Sequence, residues 1–191
     1  MDFYRVNAGQ GKQFYEGEFS PYPRDLGELI LTPGPVPQNI CVKVVRGGRL
    51  GDRMFAAFGV VSRNFVDVLQ ACEATGYAAC PIRAFAAHRA NENIPGCFLL
   101  KLLGRGGHLD LERSYRDPRD REIESRYPNL RGSKRYIGIY MNDAEWDGSD
   151  VFAIPELGIA MFVVERVAQA IRKAKLRNVR LTKNTEACIY V

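Results

Sequence analysis

The sequence predicts an α+β fold: a mixed β-sheet with two or three main helices, organised as one globular domain over residues 1–191. Three observations carry this. Hydrophobic residues make up 46% of the chain and charged residues 26%, ordinary usage for a chain with a packed core. Two segments have apolar residues at helical spacing, Phe65, Val68, Leu69 and Cys72, and later Val163, Val164, Val167, Ala170, Ile171 and Ala174. Several short apolar runs between them, such as Ile40 to Val45 and Cys97 to Leu103, have the length and bounding residues of strands.

The elements follow in order. Residues 1–20 alternate apolar and polar around Phe3, Tyr4, Val6, Phe14, Tyr15 and Phe19, which predicts two short strands joined by a turn at Gly9 and Gly11. Pro21, Pro23, Pro33, Pro35 and Pro37 exclude a continuous helix or a central strand over 21–39, so Leu29, Ile30 and Leu31 are expected to form a short extended piece. A strand over Ile40 to Val45 ends at Gly47 and Gly48, completing a Pro/Gly-rich N-terminal part, 1–50.

The segment 51–104 reads as a helix-strand unit. Ser62 is placed to cap a helix, its hydroxyl accepting from first-turn amides, and Gly76 to end it in the left-handed conformation. Tyr77 to Phe85 is extended, with Pro81 marking an edge or a bulge. Cys97 to Leu103 reads as a buried strand interrupted only by Lys101. Between 105 and 135 nine basic residues alternate with six acidic ones, predicting an exposed, partly helical segment.

Residues 136–191 read as a second helix-strand unit: a strand over Tyr136 to Tyr140, a loop over Asn142 to Asp150, an extended piece over Val151 to Ile154, a helix from Val163 and a strand at Val179 and Leu181. Glu165 opens that helix and Arg172, Lys173 and Lys175 close it, matching its macrodipole. The two units align without a gap at an offset of 102: Ser62 with Val164, Phe65 with Val167, Leu69 with Ile171, Cys72 with Ala174, and Gly76 with Asn178. Gly and Asn are the residue types best suited to a left-handed helix end. Two readings stand: a chance alignment of two common helix-strand units, which the missing capping hydroxyl at Val164 favours, or a duplication, which would give two similar helix-strand lobes.

The search for chemistry returns structural roles. Cys41, Cys72, Cys80, Cys97 and Cys188 are odd in number and lack zinc or redox spacing, which predicts buried thiols in a reducing compartment. Cys97 with His88 or His108 is the least poor nucleophile pair. The run from Gly104 to Gly107 lacks the third glycine and the following apolar helix of a dinucleotide loop, so a turn is expected. Ser62 lacks the flanking glycines of a nucleophile elbow. Asp143, Glu145, Asp147 and Asp150 do not follow the calcium-loop pattern and are expected to form a solvated acidic loop. No catalytic residue, metal or cofactor is therefore expected.

The start Met-Asp-Phe-Tyr-Arg does not read as a secretory signal, and no run approaches the about 18 apolar residues a membrane helix needs. A cytoplasmic location without membrane contact is expected. The net charge of +5 favours an acidic partner. Nucleic acid is the alternative partner, through the C-terminal basic run, but the six acids of 105–135 dilute that field and no reading module is evident. A small Cys-dependent enzyme is the third reading.

The run from Gly59 to Leu69 (GVVSRNFVDVL), with Gly76, Pro81 and Ile82 after it, resembles a recurring segment of immunity family eleven of bacterial polymorphic toxin systems. So do Trp146 to Phe152 (WDGSDVF), Val164 to Ile171 (VERVAQAI) and Leu176 to Thr182 (LRNVRLT). The likeness spans about 55–85 and 135–183 and departs at Val164, where members tend to have Ser. It implies a cytosolic antidote that binds and blocks a cognate toxin domain, without chemistry of its own. It carries over no interface residues. Surface without an evident packing role then marks the expected partner-binding residues: Trp146, Asp147, Asp150, Arg166, Arg172, Lys173 and Lys175.

Overall fold

A computed structural model describes residues 1–9, 11, 13–54, 57–117 and 135–190. In chain order the elements are β1 (Phe3–Ala8), β2 (Glu16–Ser20), α1 (Leu26–Leu31), β3 (Cys41–Arg46), β4 (Val60–Ser62), α2 (Arg63–Ala71), β5 (Tyr77–Pro81), β6 (Ala84–Ala86), β7 (Glu92–Asn93) and β8 (Cys97–Leu102). Then come β9 (Gly104–Arg105), β10 (Tyr115–Arg116), β11 (Arg135–Ile137), β12 (Val151–Ala153), β13 (Met161–Val164), α3 (Glu165–Lys173), β14 (Val179–Lys183) and β15 (Cys188–Tyr190). Three helices and several sheets, some mixed, make the expected α+β fold.

Two sheets share one plan. In the first, β8 lies between β4 and β5 and is antiparallel to both. The outer strands are therefore parallel to each other, and α2 makes the crossover between them. In the second, β1 lies between β13 and β14, again antiparallel to both, and α3 makes the crossover. The helices Arg63–Ala71 and Glu165–Lys173, and the strands Tyr77–Pro81 and Val179–Lys183, start and end at the same offset of 102.

The middle strands obey a second offset, 94, and the register agrees throughout. Ser62 faces Cys97 as Val164 faces Phe3, and Tyr77 faces Leu102 as Val179 faces Ala8. The amide of Leu103 donates to Gly76 O as that of Gly9 donates to Asn178 O, both at 2.9 Å. The sequence echo is therefore a repeat of three-dimensional units, each a helix laid across a three-stranded core. Each middle strand lies far in sequence from one or both of its partners, so local patterning could not assign it.

The helices form for the reasons their sequences suggest. Ser62 Oγ accepts from Phe65 N at 3.2 Å and caps α2, which buries Phe65, Val66 and Leu69. Ser62 Oγ also donates to Asp52 Oδ1 at 2.6 Å, with both residues buried. Ser62→Ala removes the cap and one of the acid's donors, and should cost about 2 kcal/mol, read as a lower urea midpoint with unchanged slope. α3 buries Val167, Ala168 and Ile171 and begins at Glu165, two residues later than its periodicity suggests. Val163 and Val164 belong instead to β13, because apolar residues at this point serve the sheet and the helix equally well.

Two expectations need correction. Leu29, Ile30 and Leu31 are helical, not extended: the stretch between Pro23 and Pro33 is long enough for one short helix, and Asp25 Oδ1 caps it by accepting from Glu28 N. Gly76 does not end α2. The helix stops at Ala71, Glu73 takes the left-handed conformation (φ 50°), and Gly76 (φ 82°) turns the chain into β5. Lys175 (φ 50°) and Asn178 (φ 62°) repeat this pair after α3. In its described part the charged segment has two short strands, β9 and β10, joined by loop and turn; the expectation that it is partly helical falls mainly on 118–134, outside the described residues.

The first two strands form as expected but in different sheets, β2 pairing with β3 rather than with β1. β11 stops at Ile137, short of the expected Tyr140, before Gly138 (φ 85°). β5 is an edge strand, as Pro81 requires.

The core has two parts. One joins both helices to the inner faces of their sheets, through Phe65, Leu69, Leu100, Val163 and Val167 among others. The second covers the opposite face of the β1–β13–β12 region with Ile139, Met141, Ala187 and Ile189, packed on Phe3, Phe152 and Phe162. These three rings lie 5.6–5.9 Å apart, centroid to centroid. Among the described residues no helix is long and apolar enough to cross a membrane.

Candidate functional site

Four of the seven expected partner-binding residues hold the fold together. Asp150 is buried; its Oδ2 accepts from the backbone amide of Thr75 at 2.9 Å and from its hydroxyl at 2.8 Å, and its Oδ1 from Arg166 Nε at 2.8 Å. Desolvation pushes this carboxyl up, but the Thr75 bonds and the Arg166 guanidinium outweigh it, so it rests below its ordinary value. Arg166 also donates to the carbonyls of Cys72 and Glu73, satisfying the last turn of α2 from α3.

Asp52 mirrors Asp150. Its Oδ1 accepts from Ser62 at the start of α2, and its Oδ2 from the amide of Arg177 after α3, at 2.6 Å. The main-chain carbonyls of the two acids accept from Ser62 N and Val164 N at 3.1 and 3.0 Å. Each acid thus ties the start of one helix to the loop that follows the other. The two bonds are reciprocal, as a two-fold relation between the units demands. Asp52 carried no signal in the sequence: a lone acid between Gly51 and Arg53 looks like any solvated loop residue.

Trp146 is half-buried, donates from Nε1 to Ser149 O at 3.1 Å and lies 6.2 Å from the Phe152 ring. Asp147 accepts from Arg105 N and Ser149 N. The acidic loop is thereby spread among separate partners: Glu145 accepts from His108 N, and Asp143 and Asp150 have partners elsewhere. Among the described residues no group of His, Cys, Asp or Glu is arranged to hold a metal ion.

The remaining candidates also have structural partners. Gly104 and Gly107 allow close backbone approach; a Cβ on Gly107 would lie 1.9 Å from Asn142 O. His88 bonds to Gly47 O at 3.0 Å, and His108 to Glu156 at 2.5 Å, which raises its imidazole above the ordinary value. All five cysteines are free thiols. Burial pushes the Cys97 thiol up to about 11, opposite to the depression a nucleophile requires. In the native protein Cys97 should alkylate with iodoacetamide more slowly than the four half-buried cysteines, as peptide mass spectrometry would show; the fastest rate at Cys97 would restore the nucleophile reading.

Arg172, Lys173 and Lys175 are exposed, as expected of a contact surface, and the line continues through exposed Arg177 and Arg180. Arg172 lies 4.5 Å from the centre of the Tyr4 ring and pairs with Glu165 at 3.3 Å. Lys173, Lys175, Arg177 and Arg180 form no ion pair among the described residues. The strip runs from the end of α3 to β14.

There it meets a cleft of about 720 Å³, lined by Arg5, Asn7, Arg53, Arg180, Thr182 and Glu186, with Met54, Phe58, Ala8 and Ala187 as its apolar wall. Arg5 Nη1 donates to Cys188 O at 3.1 Å, and Arg53, 7% exposed, donates to Val6 O. Burial, with the charge of Arg5 adding to it, lowers the Arg53 guanidinium to about 10, so it remains a cation at neutral pH. Phe58 stands 50% exposed at the cleft. None of these residues except Arg180 lay on a surface that sequence reasoning marked, since they come from four separate segments. The chain matches no protein-family model and no curated protein.

Proposed function

We propose that this protein is an immunity protein: a cytosolic antidote that binds a cognate bacterial toxin domain in a stoichiometric complex and neutralises it without catalysis. The observation that carries the reading is the exposed basic strip Lys173, Lys175, Arg177 and Arg180, which its own chain leaves without carboxylate partners among the described residues. A strip of this kind steers association with an acidic protein surface. The resemblance to immunity family eleven supports the same reading. It falls on the segments that build the two helix-strand units, including Ser62, Asp150 and Arg166, whose side chains bond within the fold. The scaffold is therefore the shared part; of the strip, Lys173 and Lys175 lie outside the resembling runs, and Arg177 and Arg180 lie within the last of them.

Co-expression with a toxin encoded immediately upstream tests the proposal. Rescue of growth and an equimolar complex are expected; failure of both overturns it. Within the complex, the Lys173→Glu, Lys175→Glu, Arg177→Glu variant should bind about tenfold more weakly or worse, chiefly through a slower on-rate and a flatter salt dependence. Its stability should move by no more than about 0.5 kcal/mol per substitution, because these side chains are exposed. Tight binding that ignores both salt and this charge reversal counts against the strip. Retention on heparin with a steep salt dependence, without toxin binding, would favour the nucleic-acid alternative instead.

A further inference from the structure

We infer that the cleft between β1, β14 and the residues Arg53, Met54 and Phe58 is an anion-binding site, which receives an oxyanion of charge near −2, carried on carboxylate or phosphoryl oxygens and attached to an apolar body. Its lining sets three arginines, Arg5, Arg53 and Arg180, against one glutamate, Glu186, a balance of +2.

The repeat shows that this face is a departure from the plan of the fold. By the register, Arg5, Asn7, Arg180 and Thr182 stand where the first unit has Leu99, Lys101, Ala78 and Cys80. In the first unit that face is covered. α1 packs on β8, Lys101 is 2% exposed with its ammonium donating to Thr32 O at 3.0 Å, and Cys80 Sγ contacts Gly34 O. In the second unit no α-helix lies there among the described residues, only the 3-10 turn Asn184–Glu186 at its border, and the same four positions line an open cleft. Leu99, Ala78, Cys80 and the covered Lys101 thus stand where the second unit has two guanidiniums, an amide and a hydroxyl lining a cleft. Sheet packing does not require that exchange, and ligand recognition does.

The charges point to the ligand's sign. Arg53 is buried beside Arg5, and each spends one donor on a carbonyl, Val6 O and Cys188 O. Neither these two nor Arg180 pairs with a carboxylate among the described residues. Two adjacent guanidiniums with like charge are costly to hold out of water, and an anion between them removes that cost. The guanidinium fork matches the paired oxygens of carboxylate and phosphate alike. Asn7 and Thr182 add neutral donors, and Met54 and Phe58 offer a seat for the apolar body. The volume suits a small organic anion, or two acidic side chains of a protein segment.

Two probes separate these sources: inorganic phosphate and a hexaglutamate peptide, each titrated calorimetrically at constant ionic strength. Saturable binding of at least one is expected. It should weaken about tenfold in Arg180→Ala and vanish in Arg5→Gln with Arg180→Ala, while Arg24→Ala, an exposed arginine elsewhere, leaves it unchanged. Arg180 is exposed, so its variant tests the site without unfolding the protein. Tighter binding of phosphate assigns the cleft to a free anion; tighter binding of hexaglutamate assigns it to an acidic polypeptide. Binding of neither probe, or binding that Arg180→Ala leaves intact, overturns the site. Toxin neutralisation that persists without anion binding overturns this site alone, and the immunity reading stands apart from it.

Discussion

Asp150→Ala should destabilise the protein by about 3 kcal/mol or more, among the largest effects of any single polar substitution here. The change strands three donors at once: the amide and hydroxyl of Thr75, and the Arg166 guanidinium. It also weakens the contact between the start of α3 and the loop after α2, leaving there the Arg166 bonds to Cys72 O and Glu73 O, so the cost falls on the join between the two units. Urea unfolding should show a lower midpoint. Asp52→Ala should behave similarly, because it strands Ser62 Oγ and the Arg177 amide at the mirrored join. A loss below about 1 kcal/mol in both variants would mean that the joins are dispensable.

The same bonds predict a pH dependence. The folded-state carboxyl of Asp150 lies below its ordinary value. Its contribution is therefore fully present above the unfolded carboxylate value of about 3.9 and is lost as the pH falls through the lower folded value. Wild-type stability should fall in that acid range more steeply than that of Asp150→Ala, whose curve lacks this term. Parallel curves would refute the role of the ionised acid.

Gly76→Ala should cost about 3 kcal/mol or more, from two causes that add. The residue sits at φ 82°, where an L side chain is strained. A Cβ there would also lie 2.2 Å from Val151 O and 2.5 Å from Ser149 Cβ, and the first of these is backbone that cannot swing aside. Asn178 holds the equivalent position at φ 62°, and its side chain fits beside Gly51 and donates to Arg53 O at 2.8 Å. The repeat thus places the side chain on opposite partners in the two units: Gly76 against Ser149, and Asn178 against Gly51. Exchanging the pair, Gly76→Asn with Ser149→Gly, should recover part of what Gly76→Asn alone loses, measured by thermal unfolding. No recovery would show that the clash with Val151 O dominates.

The repeat also explains why the molecule has a distinctive surface at all. Both units bury one sheet face under their crossover helix. They differ in what covers the other face. In the first unit it is α1; in the second it is the aromatic cluster around Phe152 over β12 and β13, with the β1–β14 edge left open. The exposed basic strip ends at that edge. Surface that is free to differ between two copies of one plan is where a binding function would be accommodated at least cost to the fold.

Much of the local structure was legible in the sequence. The Ser62 cap, the apolar faces of α2 and α3, the strand at Cys97 to Leu102 and the offset of 102 all follow from residues within a few positions of one another, because capping, helical periodicity and chain turns are short-range effects. The helix at Leu26–Leu31 and the true end of α2 were missed for a related reason: short-range signals there conflict, proline density against an Asp25 cap, and Gly76 against Glu73. The sequence by itself thus determined the two helix-strand units and offered their alignment; the matching register of the two middle strands decided that the alignment is a structural repeat. Tertiary structure alone decided that β1 enters the second unit from the far end of the chain, and that Asp52 and Asp150 are internal ties rather than surface acids. It alone brought Arg5, Arg53 and Arg180 to one cleft. A carboxylate or guanidinium looks the same in sequence whether water or a distant amide will satisfy it. Its partner is chosen by strand pairing across more than a hundred residues, and that choice exists only once the chain has folded.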